Sequence, residues 1–340
     1  MRILTTEQQK NIQTLFRLSQ EQLRNLMIKF LKKKGYTQIT KTKDYIVGQG
    51  NIPITLVAHL DTVFSQVPSQ IFYDEKQSVM WSPQGLGADD RAGVFAITEI
   101  VRRGYRPNVI FTTEEESGCV GAQKLVKQNP NKLVDTKYIV QLDRRGSIDC
   151  VFYDFSDEKF ETYIEDFGFK TANGTFTDIS VIAPRWNVAA VNLSVGYFGE
   201  HSKEEILNTH FLLETIDKVE KMILSIDTAP YFEYKSYYSK DLFYDFYEEE
   251  CDFCKHEFFA YEVIYALNKN GAGYIAVCPD CVVDKVNWCH ACGEAYIKDD
   301  SIKTNYCPNC RYDNKKKDKG GNYYGFTRGT ERVTGDKRAL

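Results

Sequence analysis

Nowhere in this chain does an apolar run approach the roughly 20 residues that a helix needs to cross a bilayer. The opening stretch, MRILTTEQQKNIQTLF, is too polar and too amphipathic for the apolar core of a secretory leader. Charge of one sign is not in large excess either. The 43 Lys and Arg against 47 Asp and Glu give a formal net charge of -4, which calls for neither nucleic acid nor a membrane as the main partner. Cysteine is scarce until late in the chain: only Cys119 and Cys150 precede residue 251, and both lie among apolar neighbours that suit buried free thiols. No internal repeat is present apart from paired cysteines near the end. These absences place the chain, as an expectation, in the cytoplasm, where paired cysteines serve zinc before disulfides. The 340 residues suffice for one domain of ordinary size and a smaller appendage.

Hydrophobic spacing supplies the coarse architecture. Ile12, Leu15, Leu23, Leu26, Met27, Phe30 and Leu31 follow the period of one or two amphipathic helices that close at Gly35. Apolar runs at 52–58, 108–112, 138–142 and 188–195 read as buried strands, and helical patterns at 91–103, 119–128 and 203–226 are interleaved with them. That alternation predicts an α/β fold: a mixed, mostly parallel sheet flanked by helices. YDEKQSVMW, residues 73–81, reads as a hairpin beside the site. The catalytic domain is expected over 1–228. Residues 229–250 are acidic and crowded with Tyr and Phe, a composition that suits a connector docked on its neighbour. Residues 314–340 are basic, Gly-rich and aperiodic, so a disordered tail is expected there.

Acidic and imidazole side chains follow the apolar strands in a fixed order. His59 and Asp61 stand in AHLDTV, Asp89 and Asp90 in GLGADDRAG, Glu115 and Glu116 in TEEESGCVGA, Asp143 in QLDRRG, and His201 in FGEHSKEE. In open α/β sheets the carboxyl ends of the strands converge, so residues remote in sequence meet there. Two metal ions sharing one bridging carboxylate need this inventory: a His and a carboxylate for each ion, an Asp between them, and one unligated carboxylate as base. Asp61, two residues from His59 on an extended backbone, projects to the same side and can accept its second ring N–H. Of adjacent glutamates, one can bind metal while the other stays free as proton acceptor.

In combination, AHLDTV, GADDRAG, EESGCVGA, the Asp of QLD and the late His of GEHSKEE resemble the co-catalytic di-zinc exopeptidases, over roughly residues 52–226. That superfamily holds peptidase T, glutamyl aminopeptidases, zinc aminopeptidases and acylamino-acid deacylases. The resemblance implies a first zinc held by His59, Asp89 and Asp143 and a second by Asp89, Glu116 and His201, with Asp89 bridging. It further implies Glu115 as general base, Asp61 as partner of His59, and a cis peptide after Asp89. The register with Glu114 as base and Glu115 as ligand fits EExG less well. TFTD, 175–178, is similar to the family's substrate-side loop and brings in Asp178 as a substrate contact. Several relatives insert a lid or dimerisation domain before the last His; only residues 144–200 are available here, which implies a compact domain with an open cleft.

Eight of the ten cysteines form four CxxC pairs within 251–313. Cys251 and Cys254 pair naturally with Cys278 and Cys281, and Cys289 and Cys292 with Cys307 and Cys310, although Cys278, Cys281, Cys289 and Cys292 are also close enough in sequence to share a site. Four thiolates suit a tetrahedral structural zinc that leaves no position for substrate, and a segment this small needs the metal to fold. The modules resemble zinc ribbons, suited to contact with protein or the neighbouring domain better than to nucleic acid. His256 and His290 are expected as bystanders, and His210 as a packed helix residue.

The reading from sequence is therefore a metallo-exopeptidase with two catalytic and two structural zinc ions, manganese or cobalt also suiting the catalytic pair. An aminopeptidase on short peptides is preferred. Hydrolysis of N-acyl amino acids or carboxypeptidase action uses the same metal pair, and a non-catalytic adaptor working through the ribbons is the reading from a different class.

Overall fold

Thr5 and Ser19 open two separate helices, α1 (Thr6–Phe16) and α2 (Gln20–Lys33), each through a capping box with the Gln three residues on. Each such cap stabilises its helix by about 1 kcal/mol, and the second is why the long amphipathic stretch breaks in two. The computed structural model describes all residues except 1, 130–132, 134–135, 154–156, 175, 233, 236–247, 260–262, 272, 300, 302–303 and 312–340. The expected tail and most of the expected connector lie outside the described residues. The chain divides into two compact units, Met1–Ser239 and Lys240–Leu340.

In the first unit there follow β1 (Gln38–Lys41), β2 (Tyr45–Gln49), β3 (Ile52–His59), β4 (Phe72–Asp74), β5 (Val79–Trp81), α3 (Ala88–Arg102), β6 (Pro107–Thr112), α4 (Val120–Gln128) and β7 (Tyr138–Arg144). Then come β8 (Asp149–Val151), α5 (Glu158–Glu165), β9 (Lys170–Thr171), α6 (Asp178–Trp186), β10 (Ala190–Ser194), β11 (Tyr197–Phe198), β12 (Ile206–Asn208) and α7 (Thr209–Leu224). The main sheet has the order β1-β2-β6-β3-β7-β10-β8-β9. Its centre, β6-β3-β7-β10, is parallel, while β1, β2 and β8 join antiparallel.

The central strands are apolar on both faces because helices cover both. Ile54, Leu56, Ala58, Val140 and Leu142 join one cluster with α1, α3 and α7. The alternate residues face α4 and α6. Ala229 and Phe232 are also buried in that cluster, Phe232 against Phe160 at 4.8 Å between ring centroids, so the first unit continues past residue 228.

Residues 203–226 are not one helix. Ile206–Asn208 instead pairs with β5 in a second, antiparallel sheet, β11-β12-β5-β4, and Asn208 then caps α7 by accepting from His210 N–H and Phe211 N–H. Helical spacing hid this short strand, since Ile206 and Leu207 fit either period. β4 and β5 form the hairpin expected at 73–81. The small sheet turns Tyr197, Met80 and Leu207 inward and leaves Phe72, Trp81 and Phe198 exposed.

The second unit contains β13 (Glu248–Glu250), β14 (Glu257–Phe259), β15 (Ile264–Leu267), β16 (Tyr274–Val277), α8 (Pro279–Lys285), β17 (Val286–Trp288) and β18 (Ala295–Ile297). β13 pairs with β14, and the others form a sheet in the order β16-β15-β18-β17. Its apolar cores are small: Ala266, Val277, Val286, Ala295 and Ile297 make one, and Leu267, Tyr296, Cys289 and Cys307 another. Among the described residues, no helix is long and apolar enough to cross a membrane.

Candidate metal centre

Parallel register builds the core of the site. Val57 lies opposite Gln141 and His59 opposite Thr112, so two residues further on His59 and Asp143 stand side by side at the carboxyl ends of β3 and β7. Asp89 and Asp90 enter from the kinked start of α3, where neither has helical angles and the peptide bond between them is cis. Glu115 and Glu116 come from the loop after β6, and His201 from the loop between β11 and β12. Glu114, Cys119 and His201 all carry positive φ, a costly conformation for residues other than glycine that clusters where a site constrains its loops.

Asp89 has one oxygen for each histidine. Its Oδ1 is 3.1 Å from His59 Nε2, and its Oδ2 is 3.2 Å from His201 Nε2. Asp143 Oδ1 lies 3.5 Å from His59 Nε2, and Glu116 Oε2 lies 3.0 Å from His201 Nε2. A tetrahedral ion with bonds of about 2.1 Å separates its ligand atoms by about 3.4 Å, a spacing that these His–carboxylate distances approach, and His59, Asp89 and Glu116 also lie close enough together to share one ion. Glu116 Oε1 is buried without a hydrogen-bond partner, as a donor atom awaiting a cation would be. Nitrogen and carboxylate donors suit zinc, manganese or cobalt. His59 is 1 % exposed at its side chain and His201 52 %, so the centre is closed beneath His59 and open beside His201.

Asp61 stands 3.3 Å from His59 Nδ1, off the line of a hydrogen bond, while its Oδ2 accepts Glu116 N–H. Glu114 turns away from the centre and accepts from Gln20. Asp90 lies close enough to His59 and Asp143 to form a candidate triad with them. Its two oxygens, however, accept His59 N–H and Gly93 N–H, so it braces the backbone. Asp178 is fully buried, with Oδ2 accepting from Thr112 and Oδ1 lacking a partner, a place behind the ligands. His210 is a packed residue whose Nδ1 accepts Arg2 N–H.

Four residues without a role in the sequence reading complete the surroundings. Glu205 accepts from Gly87, Ala88 and Asp89 N–H; Tyr197 O–H reaches Asp143 Oδ1 at 3.2 Å; Gln141 and Thr177 both hydrogen-bond Asp143 Oδ2. Gln141, Thr177 and Tyr197 belong to no charged pair or repeat. Only Glu205 had a signal, as the second glutamate after the late His, and a run such as KEE reads as a solvated surface.

So many buried carboxylates disturb one another. Burial, reinforced by Asp143, Asp178 and Asp89, pushes Glu115 up to about 9; burial and Asp89 push Glu116 up to about 7; burial pushes Asp143 up to about 6. Burial would raise Asp89 too, but hydrogen bonds from both histidines hold it below the ordinary carboxylate range. His201 is raised to about 9, chiefly by its bond to Asp89. Bound cations reverse this logic by favouring every ionised carboxylate around them.

The second unit gathers its cysteines into two tetrads: Cys251, Cys254, Cys278 and Cys281, and Cys289, Cys292, Cys307 and Cys310. The Sγ atoms of Cys254 and Cys278 are 3.7 Å apart and those of Cys292 and Cys307 3.8 Å. Zn–S bonds of about 2.3 Å in a tetrahedron require about 3.75 Å. Backbone N–H groups point at the sulfurs, as Cys278 does at Cys251 and Cys310 at Cys307, which favours thiolates. Neither His256 nor His290 belongs to a tetrad. Cys119 and Cys150 are buried free thiols.

Residues 42–179 match the family model described as peptidase family M28. Among solved structures, the chain is similar to aminopeptidase PepT from Bacillus cereus ATCC 10987, at 15% identity and TM-score 0.55, covering 66% of this chain and 99% of that one. It is equally similar to a tripeptidase from Staphylococcus aureus, at 14% identity and TM-score 0.55, covering 67% and 100%. At this identity the likeness speaks for the fold. No curated protein matches the sequence. The family match runs from just before β2 to the start of α6, and so takes in His59, Asp89, Glu115, Glu116 and Asp143 but stops short of His201, while the second unit carries CxxC motifs of the zinc-ribbon kind.

Proposed function

We propose that the chain is a metal-dependent aminopeptidase acting on short peptides, with two zinc ions in the cleft and one in each cysteine tetrad. The observation that carries this reading is Asp89 set between His59 and His201 with one oxygen toward each, beside Glu115, whose carboxylate pairs with neither histidine. In the proposal His59, Asp89 and Asp143 hold one ion, Asp89, Glu116 and His201 the other, and Asp61 sets its negative charge against His59 Nδ1. The ions would polarise the scissile carbonyl and acidify a water. Glu115 takes the proton of that water as it attacks and returns it to the leaving amine. Burial of Glu115 keeps bulk water from competing for that proton. A preference for short peptides is supported by the PepT and tripeptidase likenesses. Between Cys251 and Arg311, 6 Lys or Arg stand against 8 Asp or Glu, so the ribbon unit is proposed as a protein-contact or structural element and not as a nucleic-acid binder.

The test is a panel of aminoacyl, tripeptide, N-acetyl-amino-acid and N-blocked peptide substrates, run with and without chelator on the native chain and on Glu115→Gln. Free-amine peptides should be hydrolysed by the native chain alone. Glu115→Gln should keep its metal and lose at least ~100-fold in kcat. Hydrolysis confined to N-acetyl amino acids or to the C-terminal residue would replace the aminopeptidase reading, and full activity of Glu115→Gln would remove that residue from its role.

A further inference from the structure

A buried chain of hydrogen bonds runs from the helix α6 backbone to the proton acceptor proposed above. Gln141, two residues before Asp143 on β7, has its amide orientation settled because its Oε1 accepts Ile179 N–H at 3.0 Å. Its Nε2 therefore faces Thr177 Oγ1 at 2.7 Å and Asp143 Oδ2 at 2.9 Å, with one proton for each. Thr177, having accepted from Gln141, has one hydroxyl proton left to give. Two carboxylate oxygens are in range, Glu115 Oε1 at 3.0 Å and Asp143 Oδ2 at 3.1 Å. Asp143 is already supplied on both oxygens, by Gln141 and by Tyr197 O–H. Glu115 Oε1 has otherwise only the weak thiol donor of Cys119 at 3.7 Å. Counting donors thus sends the Thr177 proton to Glu115.

We propose that Gln141 and Thr177 are positioning residues: they hold Glu115 by Oε1 and so leave Oε2 for proton transfer. Gln141 is fully buried and Thr177 2 % exposed, so water does not compete for these bonds. The proposal rests on the reading of Glu115 as the proton acceptor. Without the clamp, the carboxylate populates other rotamers, and catalysis falls while the ligand set stays in place.

The experiment uses the full chain with Thr177→Val, which keeps the shape and removes the hydroxyl, and Thr177→Ser, which restores it. In Thr177→Val, kcat should fall about 10- to 100-fold, the effect of one hydrogen bond to a charged group. KM should stay within about twofold and bound metal per chain should not change. Thr177→Ser should return to within about threefold of native kcat, and a crystal structure of Thr177→Val should show the Glu115 carboxylate turned from its native rotamer. In a Glu115→Gln background, Thr177→Val should cost almost nothing more, because residues acting as a unit are not additive. Unchanged kcat in Thr177→Val, loss of metal from it, or a full additional loss in the double variant would each overturn the proposal. An active Glu115→Gln would instead remove the reading beneath it. Should Thr177→Val fail to fold, Thr177→Ala removes the same hydroxyl without adding bulk, leaves the Gln141 bond to Asp143 in place, and carries the same expectations.

Discussion

Glu205 offers the sharpest test of how this centre is held. It is fully buried just before β12, and its carboxylate accepts Gly87 N–H at 2.5 Å and Ala88 and Asp89 N–H at 3.1 Å each. Those three donors open α3, where a helix has no internal partners for them. The carboxylate is therefore a cap delivered from a distant part of the chain, and it fixes the backbone of the Asp that faces both histidines. Glu205→Ala leaves three buried N–H groups without an acceptor. At about 1–3 kcal/mol for each, reduced by water entering the space left, the loss is about 3–5 kcal/mol. A unit of this size has an unfolding entropy of about 0.5 kcal/mol/K, so its Tm should drop by about 6–10 °C. Glu205→Gln keeps one acceptor and turns an NH2 toward the remaining donors, for about half that drop. Calorimetry of the metal-loaded chain reads the shift, and a metal titration should show affinity at the cleft weakened by about 10- to 100-fold. A Glu205→Gln chain melting within about 1 °C of native, with undiminished metal affinity, would refute this account of the bridging loop.

Metal analysis of the purified chain should return about four zinc ions, and Cys278→Ser about three with peptide hydrolysis retained, since its tetrad lies in the other unit; two ions in the native chain would remove either the cleft pair or the ribbon pair. Gly93 gives a packing test. A Cβ there would sit 1.9 Å from Leu142 carbonyl oxygen and 2.5 Å from Asp90 Oδ1, so Gly93→Ala must lift α3 off β7. The loss should exceed about 4 kcal/mol, read as a collapse of folded yield, and a variant melting within about 2 °C of native would show that the helix has slack there.

What the sequence determined by itself is the chemistry of the donors and the α/β class. Period-2 and period-3.6 apolar patterns are local properties, so the strands ending at His59 and Asp143 and the helix after GADDRAG were legible without coordinates. So was the CxxC spacing, because two cysteines three residues apart can hold one ion whatever surrounds them. Tertiary structure decided what depends on pairing between distant segments. It divided the cysteines into two tetrads, sent Glu114 outward to Gln20, and turned residues 206–208 into a strand by giving them β5 to pair with. It also buried Glu205, Gln141 and Thr177, whose roles are invisible in one dimension: a hydrogen bond between residues 62 or 118 positions apart leaves no spacing to read. Local patterns name the atoms able to bind metal, while the register of β3 against β7 and the crossing of β12 over the start of α3 determine how those atoms are held.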